Sequence, residues 1–190
     1  MILSILILGL VLFLGLHLIP TVPALKTQLV HTFGENRYKG LFAMLAALGL
    51  ILIIVGYGRA PSEPRLFTSF IGARHAAPLV MVISFILFAA ANMKGHIRAW
   101  VKHPMLLGLA LWALVHLLAN GHAKATLLFS VFLAYAAIDL LSVIRRKSYK
   151  SFTPVLKFDV IACVSGLLLA LLVMTFHRQL MGVAVVPWGV

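Results

Sequence analysis

Trp112, His116 and Asn120 have side chains that can bind a ligand, and they recur every four residues in the stretch 103–122, HPMLLGLALWALVHLLANGH. This spacing places all three on one face of a helix, with Met105 on the same face. The imidazole of His116 lies inside an otherwise apolar run, where an ionisable group is costly and therefore a functional candidate. We predict a ligand or buried hydrogen-bonding role for His116. Tryptophan usually sits at membrane interfaces, so we expect a protein-lined pocket around Trp112.

A second histidine, His17, lies near the end of the first apolar run, with Pro20 and Pro23 just beyond it. A proline in a membrane helix frees a carbonyl group and kinks the axis, which is tolerated where neighbouring groups re-satisfy the backbone. Two interpretations stay open for His17. It is either a ligand or a residue of the headgroup boundary that is hydrogen bonded to a freed carbonyl.

The elements that carry these residues are predicted to be membrane-spanning helices. Hydrophobic residues make up 63% of the 190 and charged residues only 11%, whereas a soluble domain carries about 25% charged residues. About 20 apolar residues cross the hydrocarbon core of a bilayer, and six segments approach this length: 2–19, 41–57, 76–93, 105–120, 126–144 and 158–177. We therefore predict an all-α integral membrane protein, a bundle of six transmembrane helices in one domain, residues 1–190.

The composition also excludes several kinds of site. Cys163 is the only cysteine, which excludes disulfide frameworks, cysteine-based zinc sites and covalent attachment of haem through CxxCH. A haem would have to be held by side-chain ligands alone. With four acidic residues in the chain, paired-carboxylate catalysis is not expected. The basic residues lie mostly in loops, where they indicate orientation and lipid-headgroup contacts rather than nucleic-acid binding.

The distribution of basic residues predicts the orientation. With alternating spans, eleven fall on one side and five on the other. The first set is Lys26, Arg37, Lys39, Lys94, Arg98, Lys102, Arg145, Arg146, Lys147, Lys150 and Lys157, and the second is Arg59, Arg65, Arg74, Lys124 and Arg178. Because cytoplasmic loops carry the excess of Lys and Arg, we expect both termini on the outer, periplasmic side.

Asp139 is the only acidic residue well inside a predicted span. An unpaired aspartate there costs at least about 2.5 kcal/mol, so we expect it to be protonated or partnered by His17 or by a Lys or Arg of the cytoplasmic side. Either it orients a ligand histidine or it belongs to a structural ion pair. Small residues such as Gly9, Gly15, Gly108 and Gly166, and the pair Ala43 and Ala47, are predicted to serve close packing of the helices.

Three stretches of the chain resemble the NnrU family of bacterial membrane proteins: FLGLHLIPTVPAL at 13–25, GENRYKGLF at 34–42 and HPMLLGLALWALVHLLANG at 103–121. That family is named for its link to the expression of nitrite and nitric oxide reductases in denitrification. It is related to the zeta-carotene isomerase, a membrane enzyme that uses haem b. The resemblance covers most of the chain through the fifth predicted span.

The resemblance implies a non-covalent haem b with His17 and His116 as ligands of the iron, because these residues match the ligand histidines of the isomerase. Trp112 would line the haem pocket, Asn120 would support it through a hydrogen bond, and His103 is a reserve candidate for a ligand. The isomerase has a cysteine three residues before its second ligand, where this chain has Ala113. Exchange of an iron ligand for a thiol at that position is therefore not expected.

The implied function is support of nitrogen-oxide metabolism in the bacterial inner membrane, by redox or nitric oxide sensing or by assisting reductase expression or maturation. The alternative is a haem-dependent cis–trans isomerase that admits a lipophilic polyene from the bilayer. A third class is a cofactor-free transporter or scaffold. The expected partners are the lipid bilayer and either nitric oxide or a lipophilic small molecule.

The predicted spans place the two histidines at different depths. At about 1.5 Å of rise per residue, His17 lies roughly 9 Å to the cytoplasmic side of the midpoint of its span, and His116 roughly 6 Å to the outer side of its own. One iron needs both imidazoles at a similar depth. The sequence leaves open whether the histidines share one site or form two layers.

Overall fold

The computed structural model describes residues 2–149 and 151–189, and its regular elements are helices. A 3₁₀ turn at Ile19–Thr21 separates the first two of them. Within the described residues the only β-type pairing is an isolated bridge between Arg65 and His122. The helices are α1 (Ile2–Leu18), α2 (Pro23–Phe33), α3 (Glu35–Arg59), α4 (Ile71–Ala90), α5 (His96–Val101), α6 (Pro104–Ala119), α7 (Ala123–Arg145), α8 (Leu156–Thr175) and α9 (His177–Met181).

In the described part of the chain, five helices are long and apolar enough to cross a membrane: α1 with the turn that follows it, α3, α4, α7 and α8. This confirms the all-helical membrane architecture. The fourth predicted span corresponds to α6, which has 16 residues, about 24 Å of helix against a hydrocarbon core of about 30 Å. The count of six spans therefore stays a prediction.

The helices pack in the order α3, α1, α7, α6, α4 and α8, so that α6 lies between α7 and α4. Buried side chains form two apolar clusters on either side of it. The first cluster joins α1, α3 and α7 and includes Leu6, Leu10, Leu14, Ile53, Leu128 and Phe129. The second joins α4, α6 and α8 and includes Met81, Val115, Ala170 and Met174. Trp112 packs against both clusters.

Glycines allow α1 to lie directly on α3. A Cβ added to Gly9 would lie 2.6 Å from the backbone nitrogen of Ile53, and one added to Gly56 would lie 2.5 Å from that of Leu6. Neither distance leaves room for a methyl group. The same close approach recurs at Gly166 of α8, where a Cβ would lie 2.5 Å from a backbone carbon of α4. The prediction that small residues serve helix packing is confirmed at Gly9 and Gly166.

The loop after α3 covers the end of α6. The Phe70 amide donates to the carbonyl of Leu118 at 2.9 Å, and the Leu66 amide donates to that of Gly121 at 2.7 Å. A helix leaves its last four carbonyls without partners in its own backbone. The Phe70 amide supplies such a partner to Leu118, and the Leu66 amide holds the turn that follows the helix at Gly121.

Gly9→Ala should lower the thermal unfolding midpoint of the purified protein in detergent, because the new methyl group would meet backbone atoms of α3 that cannot rotate away. Overpacking of this kind costs about 1–3 kcal/mol. The matched control is Gly15→Ala in the same helix, where nothing lies within 4 Å of the added Cβ. Since alanine favours helix over glycine, the control should melt at or above wild type. Equal midpoints for the two variants would contradict the close packing of α1 on α3.

Candidate functional site

His116 lies near the end of α6, and its Nδ1 is 2.8 Å from the carbonyl oxygen of Trp112, one turn earlier. A carbonyl can only accept a hydrogen bond, so Nδ1 carries the proton in this arrangement. The neutral ring then has its lone pair on Nε2. A bond from one ring nitrogen to a backbone carbonyl is the usual way in which a metal-binding histidine is oriented.

His17 is held in the same way near the end of α1. Its Nδ1 lies 2.6 Å from the carbonyl oxygen of Phe13, again one turn earlier. This histidine also presents Nε2 as its free nitrogen. The two histidines that the sequence singled out therefore share one arrangement, in which the helix backbone fixes the ring and leaves one nitrogen for a ligand.

Aromatic rings surround the imidazole of each histidine. The ring centroid of His116 lies 4.8 Å from that of Phe129 and 5.4 Å from that of Trp112. The ring of His17 lies 4.3 Å from Phe13 and 5.2 Å from Phe42. Rings of this kind form an apolar wall on which a flat macrocycle can pack.

Phe132 of α7 joins the two groups of rings into one aromatic cluster. Its centroid lies 6.1 Å from that of Phe13 and 5.4 Å from that of Trp112. The cluster consists of Phe13, His17, Phe42, Trp112, His116, Phe129, Phe132 and Tyr135. Four helices meet there, since α1, α3, α6 and α7 all contribute rings.

The contacts with α7 show the relative depth of the histidines. His116 faces Phe129, and His17 faces Tyr135 with ring centroids 6.3 Å apart. These two positions of α7 are separated by about 9 Å of helix at ~1.5 Å per residue. The histidines thus lie at different levels of one cluster, with Phe132 at the level between them.

The other residues predicted for the site lie in different places. Trp112 belongs to the aromatic cluster, as predicted. The prediction that Asn120 continues the helical face of Trp112 and His116 is wrong, because α6 ends at Ala119 and Asn120 has extended backbone. Its Oδ1 accepts a hydrogen bond from the His122 amide at 3.4 Å, which is a local turn contact. His103 precedes the first residue of α6, about 20 Å along the helix from His116 at ~1.5 Å per residue. His103 therefore cannot bind the same iron atom as His116.

The partner of Asp139 differs from the expected basic group. Its Oδ2 accepts a hydrogen bond from the Tyr135 hydroxyl at 3.2 Å, and both residues lie on α7, one turn apart. Tyr135 in turn packs edge-on against His17. Asp139 thus contacts the aromatic cluster through Tyr135. Its hydrogen-bond partner is this tyrosine rather than the basic group that was expected from the sequence.

The role of Asp159 was not predicted from the sequence. Its Oδ2 accepts hydrogen bonds from the amide and Nδ1 of His96, at 2.9 and 2.8 Å, and its Oδ1 accepts from the Ile97 amide at 2.9 Å. The carboxylate of α8 thereby caps the first turn of α5, whose amides would otherwise lack partners. Because 63 residues separate Asp159 from His96, no local pattern could have revealed the contact.

The donor chemistry of the site fits haem. Among the described residues, no group of three or more His, Cys, Asp or Glu side chains could hold a bare metal ion. A haem iron takes four ligands from its own macrocycle and needs only one or two side chains. Ala113 is fully buried and Cys163 is exposed, so a thiol ligand is not available at the position where the isomerase has one.

The family model described as NnrU protein matches residues 5–185 of the chain. The chain belongs to the NnrU family. We found no match to it among curated proteins or among solved structures. The resemblance that three short stretches suggested therefore extends over nearly the whole chain, and this NnrU-family protein carries both candidate histidines inside the matched region.

Asp159→Ala should release α5 from α8, because two backbone amides and one ring nitrogen lose their acceptor. Leaving such donors unpaired costs about 1–3 kcal/mol. Amide hydrogen exchange in residues 96–99 should become faster by the factor that this loss of free energy implies for local opening of α5. The control is Glu35→Ala, which removes an exposed carboxylate whose pair with Lys39 has side chains 67% and 68% exposed. Unchanged exchange in α5 of the Asp159 variant would show that the cap does not hold this helix.

Proposed function

We propose that this NnrU-family protein binds one haem b inside the membrane through His116 and His17 and acts in nitrogen-oxide metabolism. The observation that carries the proposal is the shared arrangement of the two imidazoles. Each is fixed through Nδ1 by its own helix, each has Nε2 free, and both belong to one aromatic cluster. Membership of the NnrU family supports the link to nitrogen oxides.

In this proposal the residues of the cluster have distinct roles. His116 and His17 donate the Nε2 lone pairs to the iron, and the carbonyls of Trp112 and Phe13 hold the rings in place. The aromatic side chains exclude water and bound the macrocycle. When bound, haem would supply an iron that can bind nitric oxide or change its oxidation state.

The two histidines lie at different levels of the aromatic cluster. Their ring contacts on α7, Phe129 and Tyr135, are about 9 Å apart at ~1.5 Å of rise per residue. Because one iron needs both imidazoles at a similar depth, α1 would have to tilt or shift for His17 to bind the iron that His116 holds. His17 would therefore be the weaker ligand of the two, which suits a sensor in which nitric oxide competes for the iron.

A polyene isomerase is the competing function. The related isomerase has a cysteine at the position of Ala113, and alanine offers the iron no ligand atom. Sensing or assistance to reductase maturation requires no thiol. For this reason we prefer a role in nitrogen-oxide metabolism, and a test for conversion of a cis-polyene by the purified protein separates the two functions.

We further propose that α6 is the sixth span and that the protein lies in the bacterial inner membrane with both termini on the periplasmic side. The support is the excess of basic residues, eleven against five, on the other side. The position of α6 between α4 and α7 also supports a span, since it packs along two helices that are long and apolar enough to cross a membrane. The loop bonds at Leu118 and Gly121 make up for part of its shorter length.

Replacing either ligand should reduce haem binding. His116→Ala should remove most of the bound haem b, because this ring contacts both Trp112 and Phe129, and His17→Ala should convert a low-spin spectrum to a high-spin one. Haem content per protein and the visible spectrum of protein purified from haem-supplied cells provide the measurement.

The matched controls are His31→Ala and His122→Ala, which remove imidazoles outside the cluster and should leave the spectrum unchanged. Circular dichroism and size-exclusion profiles would show that all four variants are folded. Full haem content with an unaltered spectrum in His116→Ala would mean that α6 has only a structural role. The proposed site would then be wrong.

The orientation makes a separate prediction. A reporter that is active only in the periplasm should be active when fused after Val190, and a reporter that needs the cytoplasm should be inactive there. A fusion placed in the loop between α7 and α8 should give the opposite pair of results. Cytoplasmic activity at the C-terminus would contradict an even number of spans with outside termini.

A further inference from the structure

Two adjoining cavities lie where α5 ends and α6 begins, away from the aromatic cluster. They measure about 520 and 430 Å³, and Lys102, His103 and Tyr149 line both. Arg98, Ser148 and Ser151 also line the larger cavity, and Lys147 lines the smaller. We call this pair the basic cavity. Its walls thus combine three permanent cations with hydroxyl donors, which is the chemistry of an anion site.

Two of the three cations of the basic cavity lie over aromatic rings rather than beside carboxylates. Lys102 Nζ lies 4.9 Å from the ring centroid of Tyr149, and the Arg98 guanidinium lies 5.3 Å from that of Phe152. The ion pairs within the described residues involve other groups: Lys39 with Glu35, His96 with Asp159 and His122 with Glu63. The charge of the cavity is therefore left for an external anion.

His103 adds a ring nitrogen to this cavity rather than a full charge. Burial lowers its pKa, Asp139 opposes this effect, and the adjacent Lys102 lowers the pKa further. At neutral pH the ring is therefore mainly uncharged. It can donate one hydrogen bond, and the attraction of an anion rests on Arg98, Lys102 and Lys147.

Two lysines of the basic cavity have a left-handed backbone conformation, which is unfavourable for a residue with a side chain. Lys102 has φ 63° and Lys147 has φ 49°, and within the described residues they are the non-glycine positions with positive φ. Glycine adopts this region without penalty, whereas a Cβ makes it costly. Both lysines line the basic cavity. A role of their side chains in that cavity would explain why lysine occupies these two unfavourable positions.

The surroundings place the cavity at the level of the lipid headgroups. Trp100 is 79% exposed and Tyr149 is 51% exposed, and such aromatic side chains belong at the membrane interface. Next to them, Ile144 and Met105 are 56% and 45% exposed, so an apolar surface for acyl chains begins at the rim. A free phosphate ion has no acyl chains and would not contact this apolar surface.

We propose that the basic cavity binds the phosphate of an anionic phospholipid, whose acyl chains lie along the exposed apolar residues of α6 and α7. Arg98, Lys102 and Lys147 neutralise the phosphate, and the serine hydroxyls and the His103 ring donate hydrogen bonds. The site is independent of haem. It anchors α5 and the loop between α7 and α8 to the cytoplasmic leaflet.

Native mass spectrometry tests this site on the full-length protein in detergent with equal amounts of dioleoyl-phosphatidylglycerol and dioleoyl-phosphatidylcholine. Wild type should retain phosphatidylglycerol in preference. Lys102→Gly and Lys147→Gly should each reduce that preference about fivefold, the effect of one cation near a lipid surface. Glycine relieves the positive φ at both positions, so these variants should melt at or above wild type in lipid-free detergent.

The matched control is Lys26→Gln, which removes one charge from the same predicted side outside the cavity and should keep the wild-type preference. Millimolar inorganic phosphate should not displace the lipid; if it does, the ligand is free phosphate and the lipid assignment is wrong. An equal loss in Lys26→Gln and Lys102→Gly would show attraction to net charge alone. That result, or retention of the preference in both glycine variants, would overturn the proposal.

Discussion

In an apolar bundle every polar group must find its partner within the protein, and this constraint organises the polar residues of the chain. Ser84 is fully buried and donates across a helix pair to the carbonyl of Gly108 at 2.7 Å. Asp159 accepts hydrogen bonds from two backbone amides in the first turn of α5. The histidines meet the same constraint within their own helices, because each donates Nδ1–H to a carbonyl one turn back. That bond satisfies one ring nitrogen and fixes the tautomer. The second nitrogen is then available to a ligand, so a requirement of folding also prepares the candidate site.

The molecule separates two kinds of chemistry along the length of α6. Rings from α1, α3, α6 and α7 form the aromatic cluster inside the bundle, where apolar walls favour a flat macrocycle. The basic cavity lies at the other end of α6, where cations and exposed aromatic residues favour an anionic headgroup. Because α6 begins beside this cavity and ends near His116, one helix connects both regions. Its close packing on α4, where a Cβ at Gly108 would lie 3.0 Å from a carbonyl oxygen of Ser84, keeps that helix fixed.

The sequence predicts those features that depend on short spacings. Apolar runs predicted the helices, Pro104 predicted the start of α6, and the interval of four predicted that Trp112 and His116 share a face. The structure confirms these three points. The Asp139 partner was missed although Tyr135 lies one turn away on the same helix, because an ionic partner was expected for a buried acid. Contacts between residues far apart in the chain could not be predicted. No residue near Asp159 in the sequence indicates that it caps α5, and none near Phe132 indicates that it lies between the two histidines.

Haem titration into the wild-type protein in lipid nanodiscs tests the central claim most directly, since it measures the cofactor rather than the effect of a mutation. We expect one haem b per chain and a Soret band whose position indicates histidine ligation, with a shift on addition of nitric oxide. A titration in which the spectrum of added haem stays that of haem in empty nanodiscs would contradict the account. The two oriented imidazoles would then be structural groups of the bundle.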